Sequence, residues 1–210
     1  MPFMTGLETE PAIAAELFGD RIDVARAFTD ALAREGEERG LIGPLELPRL
    51  WTRHILNSVI GAPLFYGSVA DIGSGAGLPG LVLAIARPDV QWTLIDPMER
   101  RVNWLNEQVA ELGLDNVEVH RARAEEVQRP EGFDVVTARA VSALRTLIPL
   151  TAPLVKDGGE LALFKGMNAA NEIDAAQKPI KKFRLSNVRV EVLGEGVLSE
   201  STRVVRAVVR

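Results

Sequence analysis

The sequence predicts an α/β protein with a mostly parallel sheet, and three features of the chain support that prediction. From residue 68 onward, short β-branched or apolar runs alternate with amphipathic ones, as in strands joined by crossover helices. The first of these runs leads into a glycine-rich loop. The last two have no obvious helix between them, which indicates an antiparallel hairpin at the end of the sheet. With 210 residues, the chain is long enough for one domain and a small appendage.

The segment 1–66 is predicted to form a helical extension that packs on the domain following it. Residues 10–39 repeat apolar side chains at spacings of three and four, and Asp20 is suited to be the N-cap of this helix. Gly40 and the Gly43–Pro44 pair end the helix. A second helix is expected from residue 48 to about residue 60, with its apolar side chains near one stripe.

The segment 67–210 is predicted to form the domain that contains the sheet. Strands are expected at residues 69–72, 92–95, 117–120, 133–137 and 160–165. Helical segments fit between them at residues 79–86, 99–112, 124–127 and 142–154. Residues 188–193 and 204–209 are expected to form the terminal hairpin, which completes a seven-stranded sheet.

The composition excludes several kinds of chemistry. The chain has no cysteine, so disulfides, thiolate metal sites and cysteine nucleophiles are excluded. Its two histidines, His54 and His120, are too few for a histidine-rich metal cluster, and we expect no metal. The N-terminal segment lacks a basic stretch followed by an apolar core, and no run approaches the ~20 apolar residues of a membrane span. We therefore expect a cytoplasmic protein that does not bind a membrane.

The net charge of −5 argues at first against a nucleic-acid partner, but this charge is unevenly distributed. The first 48 residues hold four basic and ten acidic side chains, whereas the rest of the chain holds 20 basic and 19 acidic ones. The run 178–189 contains basic but no acidic side chains, namely Lys178, Lys181, Lys182, Arg184 and Arg189. This run either lies beside the ligand-binding edge of the sheet or is a solvated face.

The glycine loop is the most informative segment of the chain. A buried strand runs into glycines at positions 73, 75, 77 and 80, and a helix with Pro79 in its first turn opens directly afterwards. Glycines let the backbone approach a ligand closely, and a helix N-terminus offers free N–H groups. The next strand ends in Asp96, whose carboxylate is placed to accept hydrogen bonds from ribose hydroxyls. This combination predicts a nucleoside ligand, either a nicotinamide dinucleotide or S-adenosylmethionine.

Two observations favour S-adenosylmethionine. Asp71 lies in the strand just before the loop, where a carboxylate can face the ammonium group of the methionine moiety, whereas a pyrophosphate site would avoid negative charge. The predicted strands also leave no room for a second mononucleotide-binding half.

Four segments resemble a known family. VADIGSGAGLPGLVLAIARPD, LIDPMERRVNWLNE, FDVVTARAVSAL and LALFKG are similar to the glucose-inhibited division protein B family of class I methyltransferases, and LWTRHILNSV resembles that family's Arg-His segment. The resemblance covers roughly residues 48–166. It departs before the Arg-His pair, where many members have Asn-Leu-Thr and this chain reads GLIGPLELPRLW. The affected region is the N-terminal side of the substrate cleft.

The resemblance implies a Rossmann-like class I fold, S-adenosylmethionine as cofactor, and methyl transfer to guanine N7 in the 530 loop of 16S ribosomal RNA. The expected partner is 16S ribosomal RNA within the small ribosomal subunit or an assembly intermediate, and we expect the protein to be a monomer. The cofactor-binding residues that the resemblance implies are Gly73, Gly75, Gly77, Leu78, Asp96, Ala124, Glu125 and Arg139. The residues expected to position the substrate are Arg53, His54, Arg123, Arg139 and Lys165. Several of these residues have a purely structural role as the alternative. For Glu125 this is a solvated helix start, and for Arg139 it is a surface salt bridge.

The residues themselves narrow the acceptor atom. Methylation of cytosine C5 generally uses a cysteine nucleophile, and the chain has none. Methylation of exocyclic amines usually goes with an Asn/Asp-Pro-Pro-aromatic element after the fourth strand, where this chain reads Thr-Ala-Arg-Ala. Guanine N7 already presents a lone pair, so catalysis there needs alignment rather than a general base. The alternatives are a small-molecule methyltransferase, a non-catalytic protein that binds RNA or an assembly partner and, more distantly, a nicotinamide oxidoreductase.

Overall fold

The structure, a computed structural model, describes residues 6–210 and is built on a seven-stranded sheet. The strands follow the order β3-β2-β1-β4-β5-β7-β6, in which β1 to β5 are parallel and β7 runs antiparallel to both β5 and β6. This arrangement confirms the predicted fold class and the terminal hairpin. The strands are β1 Ser68–Ile72, β2 Gln91–Ile95, β3 Val117–His120, β4 Phe133–Arg139, β5 Val155–Lys165, β6 Ser186–Leu193 and β7 Thr202–Val208.

Helices cover both faces of the sheet. The α-helices are α1 Ile13–Phe18, α2 Ile22–Glu35, α3 Asn57–Val59, α4 Gly80–Ala86, α5 Glu99–Glu111, α6 Leu144–Thr151, α7 Ala169–Ala175 and α8 Gln177–Lys182. Buried apolar side chains of α1, α2, α4 and α5 form one core against the sheet, and those of α6, α7 and α8 form a second core on the other face. The first core includes both the N-terminal helices and β1, so the extension and the sheet domain share one core.

The N-terminal helix of the sequence analysis is interrupted, and the prediction of one continuous helix over residues 10–39 was wrong. Gly19 has a φ of +52°, and a 3₁₀ turn over Gly19–Arg21 separates α1 from α2. Asp20 lies inside this turn and makes no capping bond; α2 begins at Ile22. The predicted extension also included residues 1–5, which lie outside the described residues.

The second predicted helix, over residues 48–60, is helical but not a regular α-helix. It begins as a 3₁₀ turn at Leu47–Arg49, continues as a π-helix over Leu50–Leu56 and ends in α3. Leu50, Ile55 and Leu56 anchor the π-helix in the core. π-Helical segments occur frequently at functional sites, and this one carries Arg53 and His54 on its polar side.

Two element boundaries differ from the predicted ones, and two helices were not predicted. Arg139 is the last residue of β4 rather than the residue after it. Helix α4 begins at Gly80, so Pro79 precedes the helix, and the Gly80 N–H is taken up by the carboxylate of Asp71. Helices α7 and α8 had no counterpart in the prediction, because runs of six or seven residues are too short to show a clear helical period.

Candidate active site

A cavity of about 320 Å³ lies where the strand order reverses, between the carboxyl ends of β1 and β4. Ligands of open α/β sheets bind at this switch point. Part of the cavity wall is the glycine loop, with Gly73, Gly75 and Leu78, and part is the segment 41–43 of the N-terminal extension. The cavity is of the size that small-molecule sites occupy.

The three glycines of the loop have positive φ angles, which glycine adopts more easily than any other residue. Gly73 has a φ of +72°, and its N–H donates to the Ile95 carbonyl across 2.8 Å. A Cβ at Gly73 would lie 2.8 Å from Cγ2 of Val141. Gly75, with a φ of +57°, has open space at its Cβ position. Gly77 has a φ of +92° and is packed against Leu81 behind the cavity wall.

Asp71 holds the loop and α4 together from beneath. Its side chain is fully buried, and Oδ2 accepts the Gly80 N–H across 3.0 Å. Oδ1 has no hydrogen-bond partner among residues 6–210. Burial raises the pKa of Asp71 to about 7. Asp71 thus has a scaffold role that the sequence analysis did not foresee, and its carboxyl group lies directly under the loop.

Asp96 is buried at the end of β2 and is already engaged by its neighbours. Oδ2 accepts the Gly75 N–H across 3.0 Å, and Oδ1 accepts the Met98 N–H across 2.9 Å. The Arg101 guanidinium lies 3.4 Å from Oδ2 and lines the cavity in front of it. Arg101 thus lines the cavity, whereas Asp96 itself does not.

The predicted adenine segment does not line this cavity, nor the larger one that adjoins it. Ala124 is buried in the core beneath β4, whereas Glu125 and Arg123 are exposed. The Arg123 N–H donates to the Glu126 carboxylate across 2.8 Å and closes the short 3₁₀ turn Ala124–Glu126. Within the described chain, no hydrogen bond joins these residues to the glycine loop.

A second, larger cavity of about 720 Å³ adjoins the first. Four of the predicted substrate residues line it, namely Arg53, His54, Arg139 and Lys165. It also has residues in its wall that the sequence analysis did not select for the site, namely Glu46, Asn57, Met167, Glu172, Glu200 and Arg203. Arg203 is brought there by the hairpin, because β7 pairs it with Lys165 of β5.

Arg139 ties β4 to the π-helix through its guanidinium. Nη1 donates to Oγ of Ser58 across 3.0 Å and to the His54 carbonyl across 3.2 Å. Nη2 donates to the Arg53 carbonyl across 3.1 Å and to Nδ1 of His54 across 2.7 Å. Burial, with the nearby Arg53 charge, lowers the pKa of Arg139 to about 10. The role is therefore structural as well as electrostatic, and a surface salt bridge is the wrong description of it.

His54 links Arg139 to Glu46. Because Arg139 donates to Nδ1, that nitrogen accepts, and Nε2–H of the neutral ring donates to Oε2 of Glu46 across 2.6 Å. Burial, and then the charge of Arg139, lower the pKa of His54. Burial alone would raise the pKa of Glu46, but hydrogen bonds from Arg49 and His54 lower it overall. The Glu46–His54–Arg139 chain lines both cavities and forms the wall between them.

Lys165 is engaged in the same way on the opposite side of the larger cavity. Its Nζ donates to the Glu172 carboxylate and to the Ser142 carbonyl, both across 2.8 Å. Glu172 also accepts the Leu144 N–H at the start of α6. Lys165 therefore fastens α7 to the end of β5, and the sequence contained no signal for α7 as its partner.

Residues 6–210 contain neither a candidate metal site nor a candidate membrane-spanning helix. Those residues contain no group of three His, Asp or Glu side chains that could hold a metal ion. They contain no helix long and apolar enough to cross a membrane.

The strand order, the glycine loop at the switch point and the carboxylate at the end of β2 define a class I S-adenosylmethionine-dependent methyltransferase. Solved structures with this fold include an N-methyltransferase of Bradyrhizobium japonicum in complex with S-adenosyl-L-homocysteine, with 16% identity, a TM-score of 0.54 and coverage of 87% of this chain and 98% of that one. Another is an Aquifex aeolicus methyltransferase with 19% identity, a TM-score of 0.52 and coverage of 96% and 95%.

The chain belongs to the family described as rRNA small subunit methyltransferase G, whose model matches residues 21–202. This confirms the resemblance drawn from the sequence. The ribosomal RNA small subunit methyltransferase G of Leifsonia xyli is 68% identical, over 97% of this chain and 98% of its own length. That of Corynebacterium glutamicum is 49% identical, over 97% and 94%. The protein methylates ribosomal RNA with S-adenosylmethionine as cofactor.

Proposed function

We propose that the protein transfers a methyl group from S-adenosylmethionine to N7 of a guanine in 16S ribosomal RNA, in the 530 loop of the small subunit. The small-subunit target agrees with the description of the family and the names of the relatives. The guanine N7 atom and the 530 loop rest on the resemblance of the sequence motifs. The structure adds one observation that favours N7 as the acceptor atom.

That observation is the state of the partly buried acid–base groups of the larger cavity, namely Glu46, His54 and Glu172; Glu200, which also lines the cavity, is exposed to solvent. Glu46 accepts from His54 and Arg49, and both ring nitrogens of His54 are engaged. Glu172 accepts from Lys165 and from a backbone N–H. A reaction that had to remove a proton would need one of these groups free near the acceptor. Guanine N7 has a lone pair and loses no proton on methylation. Its methylation therefore needs no free general base, and the engaged state of these groups is compatible with it.

The residues around the smaller cavity are suited to hold the cofactor. The glycine loop lets the backbone approach closely at Gly73 and Gly75, and Asp96 offers a carboxylate for the ribose hydroxyls. A cationic ligand group above the loop would favour the ionised form of the buried Asp71 carboxyl. When bound, S-adenosylmethionine supplies the activated methyl group on its sulfonium. The protein aligns this group with the acceptor atom. Such alignment lowers the activation barrier and corresponds to a large effective molarity of the reacting groups.

The larger cavity is suited to receive a guanine base. Asn57 lines it, and its Oδ1 has no hydrogen-bond partner in the described chain. Guanine carries an amino group that adenine lacks at the same ring position, and an amide oxygen accepts a hydrogen bond from it. An unsatisfied buried acceptor costs about 1–3 kcal/mol. A guanine that donates to Asn57 would recover that free energy.

The test is methyl transfer to isolated small subunits and to naked 16S ribosomal RNA, with the modified nucleoside identified by mass spectrometry and mapped to its position. We expect 7-methylguanosine in the 530 loop. Methyl label on another base or another atom would refute the N7 assignment. Cofactor binding without turnover on either substrate would favour a non-catalytic RNA-binding protein, and turnover of small molecules alone would favour a small-molecule methyltransferase.

An Asn57→Ala variant tests the base contact separately. We expect kcat/KM for the RNA to fall about 10-fold or more, since the loss of one hydrogen bond to a buried partner is of that order. Affinity for S-adenosyl-L-homocysteine should be unchanged, because Asn57 lies in the larger cavity only.

A further inference from the structure

Four basic side chains on and just after α8 have no carboxylate partner among residues 6–210. They form what we call the α8 basic surface, which consists of Lys178, Lys181, Lys182 and Arg184. All four are exposed. The ion pairs of this region join Lys165 to Glu172, Arg189 to Glu191 and Arg206 to Glu160, and leave the surface out. The surface is thus a concentrated positive patch on a chain whose net charge is −5.

The arrangement of these charges is unfavourable for the free protein. Lys178 is three and four residues from Lys181 and Lys182, and like charges at those spacings on a helix repel each other. The carboxyl end of a helix favours cations, which accounts for Lys181 and Lys182 but not for Lys178 in the first turn. No acidic residue occurs between positions 175 and 190 to offset the repulsion. An anionic partner would relieve it.

Arg184 supplies an independent observation. The Leu185 N–H donates to the Ile180 carbonyl across 3.0 Å, which closes the end of α8, and Arg184 between them has a φ of +52°. Glycine is the usual residue at such a position, and a side chain there strains the backbone. An exposed arginine therefore occupies a place where glycine would be more stable. Its exposed guanidinium is available for a contact outside the chain.

The packing of α8 fixes the direction of the charges. Ile180 is buried and Phe183 is partly buried in the core on this face of the sheet. The basic side chains consequently project to the outside. Lys182 lies over the Phe183 ring at 5.2 Å, so no free aromatic face accompanies the charges for base stacking. The surface offers charge without base recognition.

The strand register gives the position of the surface relative to the larger cavity. Lys165 and Arg203 pair at the end of the strands that faces the cavity, whereas Glu160, Val208 and Ser186 pair toward the other end of the strands. Lys165 lies five positions along β5 from Glu160, which corresponds to roughly 17 Å. Helices α7 and α8 connect these two ends. The run 178–189 therefore leads away from the cavity and does not lie along its rim.

We propose that the α8 basic surface binds the phosphate backbone of the substrate RNA at a distance from the methylated base. The inference rests on the proposed function, because it assumes that an RNA occupies the larger cavity. Contacts from lysine and arginine to phosphates orient an RNA without reading its sequence. The surface increases affinity and aligns the RNA, while the cavity selects the base.

The experiment compares two triple variants with equal loss of charge. In the test variant, Lys178, Lys181 and Lys182 become Gln. In the control, Arg34, Arg100 and Arg121 become Gln. These arginines are exposed on α2, on α5 and after β3, and β3 is the outermost strand at the far side of the sheet from β6. The probe is a 16S ribosomal RNA transcript, and its dissociation constant is measured at several salt concentrations.

We expect the slope of log K against log salt to become less steep by about 2–3 for the test variant, because each lost phosphate contact contributes about 0.7–0.9. At low salt its affinity should fall at least 10-fold, whereas S-adenosyl-L-homocysteine affinity should stay the same. An unchanged slope, or an equal loss in the control, would overturn the inference. So would a loss seen only with assembled subunits, which would indicate a protein partner. These measurements need no methyl transfer, so they can fail while the N7 assignment holds.

Arg184→Gly separates binding from folding. Removing the strained side chain should raise the melting temperature, while RNA affinity should fall about 3-fold or more. A more stable variant with unchanged RNA affinity would show that Arg184 contacts no RNA.

Discussion

The guanidinium of Arg139 donates to Nδ1 of His54 across 2.7 Å and so joins the end of β4 to a helix that lies 85 residues earlier in the chain. The other terminal N–H groups of Arg139 donate to the carbonyls of Arg53 and His54 in the same π-helix and to Oγ of Ser58 in the adjoining α3. Since the bond assigns Nδ1 as an acceptor, the proton of the neutral ring is on Nε2 and is directed at Glu46. One side chain thereby determines both the position of the π-helix and the tautomer of its histidine.

Replacing Arg139 by lysine tests this relationship while it keeps the charge. Lysine has one donor group and cannot reproduce a planar fork of four bonds. We expect Arg139→Lys to lower the free energy of unfolding by about 2–4 kcal/mol, since it leaves several partly buried acceptors unpaired. Arg53→Lys on the same helix is the control, because that side chain is exposed and its nearest carboxylate is 3.6 Å away. Urea denaturation measures both, and equal losses would contradict the anchoring role.

Asp71 should make stability depend on pH. Its pKa is raised from 3.8 to about 7, so between those values the folded protein retains a proton that the unfolded chain has released. Stability therefore falls as pH rises through this window. In Asp71→Asn the amide oxygen still accepts the Gly80 N–H, and this dependence disappears. From pH 5 to pH 8 the variant should gain roughly 2–3 kcal/mol relative to wild type. Parallel stability profiles from urea titrations would show that the carboxyl is not perturbed.

Asp96→Asn should weaken cofactor binding more than it weakens folding. The amide can accept hydrogen bonds but loses the charge that strengthens a bond from a ribose hydroxyl. We expect the dissociation constant for S-adenosyl-L-homocysteine, measured by calorimetry, to rise about 10- to 100-fold. Asp89→Asn is the matched control, because Asp89 is an exposed partner of Arg87 on a loop before β2. Unaltered affinity in Asp96→Asn would remove Asp96 from the cofactor site.

Gly80 sets how closely α4 approaches the sheet. A Cβ there would lie 2.5 Å from both Oδ2 of Asp71 and Cδ2 of Leu94. Gly80→Ala should therefore destabilise the protein by about 1–3 kcal/mol through overpacking. Gly166→Ala, where the Cβ would meet nothing within 4 Å, should change the stability by less than about 0.5 kcal/mol. Thermal denaturation of the two variants distinguishes crowding at Gly80 from a general effect of alanine.

The parts of the fold that could be predicted are those with a local signal. The parallel strands are apolar runs, and the glycine loop followed by an acidic strand end is a motif of adjacent residues. The interruption at Gly19 and the π-helix could not be predicted, because tertiary packing overrides helical periodicity there. Asp20 has the right residue type for a cap but lies within a 3₁₀ turn.

The candidate site could be predicted in outline only. Arg53, His54, Arg139 and Lys165 do line one cavity. Their partners were invisible in the sequence, because the bonds join segments that are far apart in the chain, as from Arg139 to His54. Arg203 reached the cavity through the register of the hairpin, which no local pattern specified.

The Glu46–His54–Arg139 chain has a consequence for how the two ligands affect each other. These three side chains line both cavities, which therefore share them as a common wall. Any displacement of these side chains that accompanies filling of one cavity changes the shape of the other. Thermodynamic reciprocity then requires that the factor by which the cofactor alters RNA affinity equal the factor by which RNA alters cofactor affinity. The affinities of the two ligands are therefore coupled through one hydrogen-bonded chain of side chains.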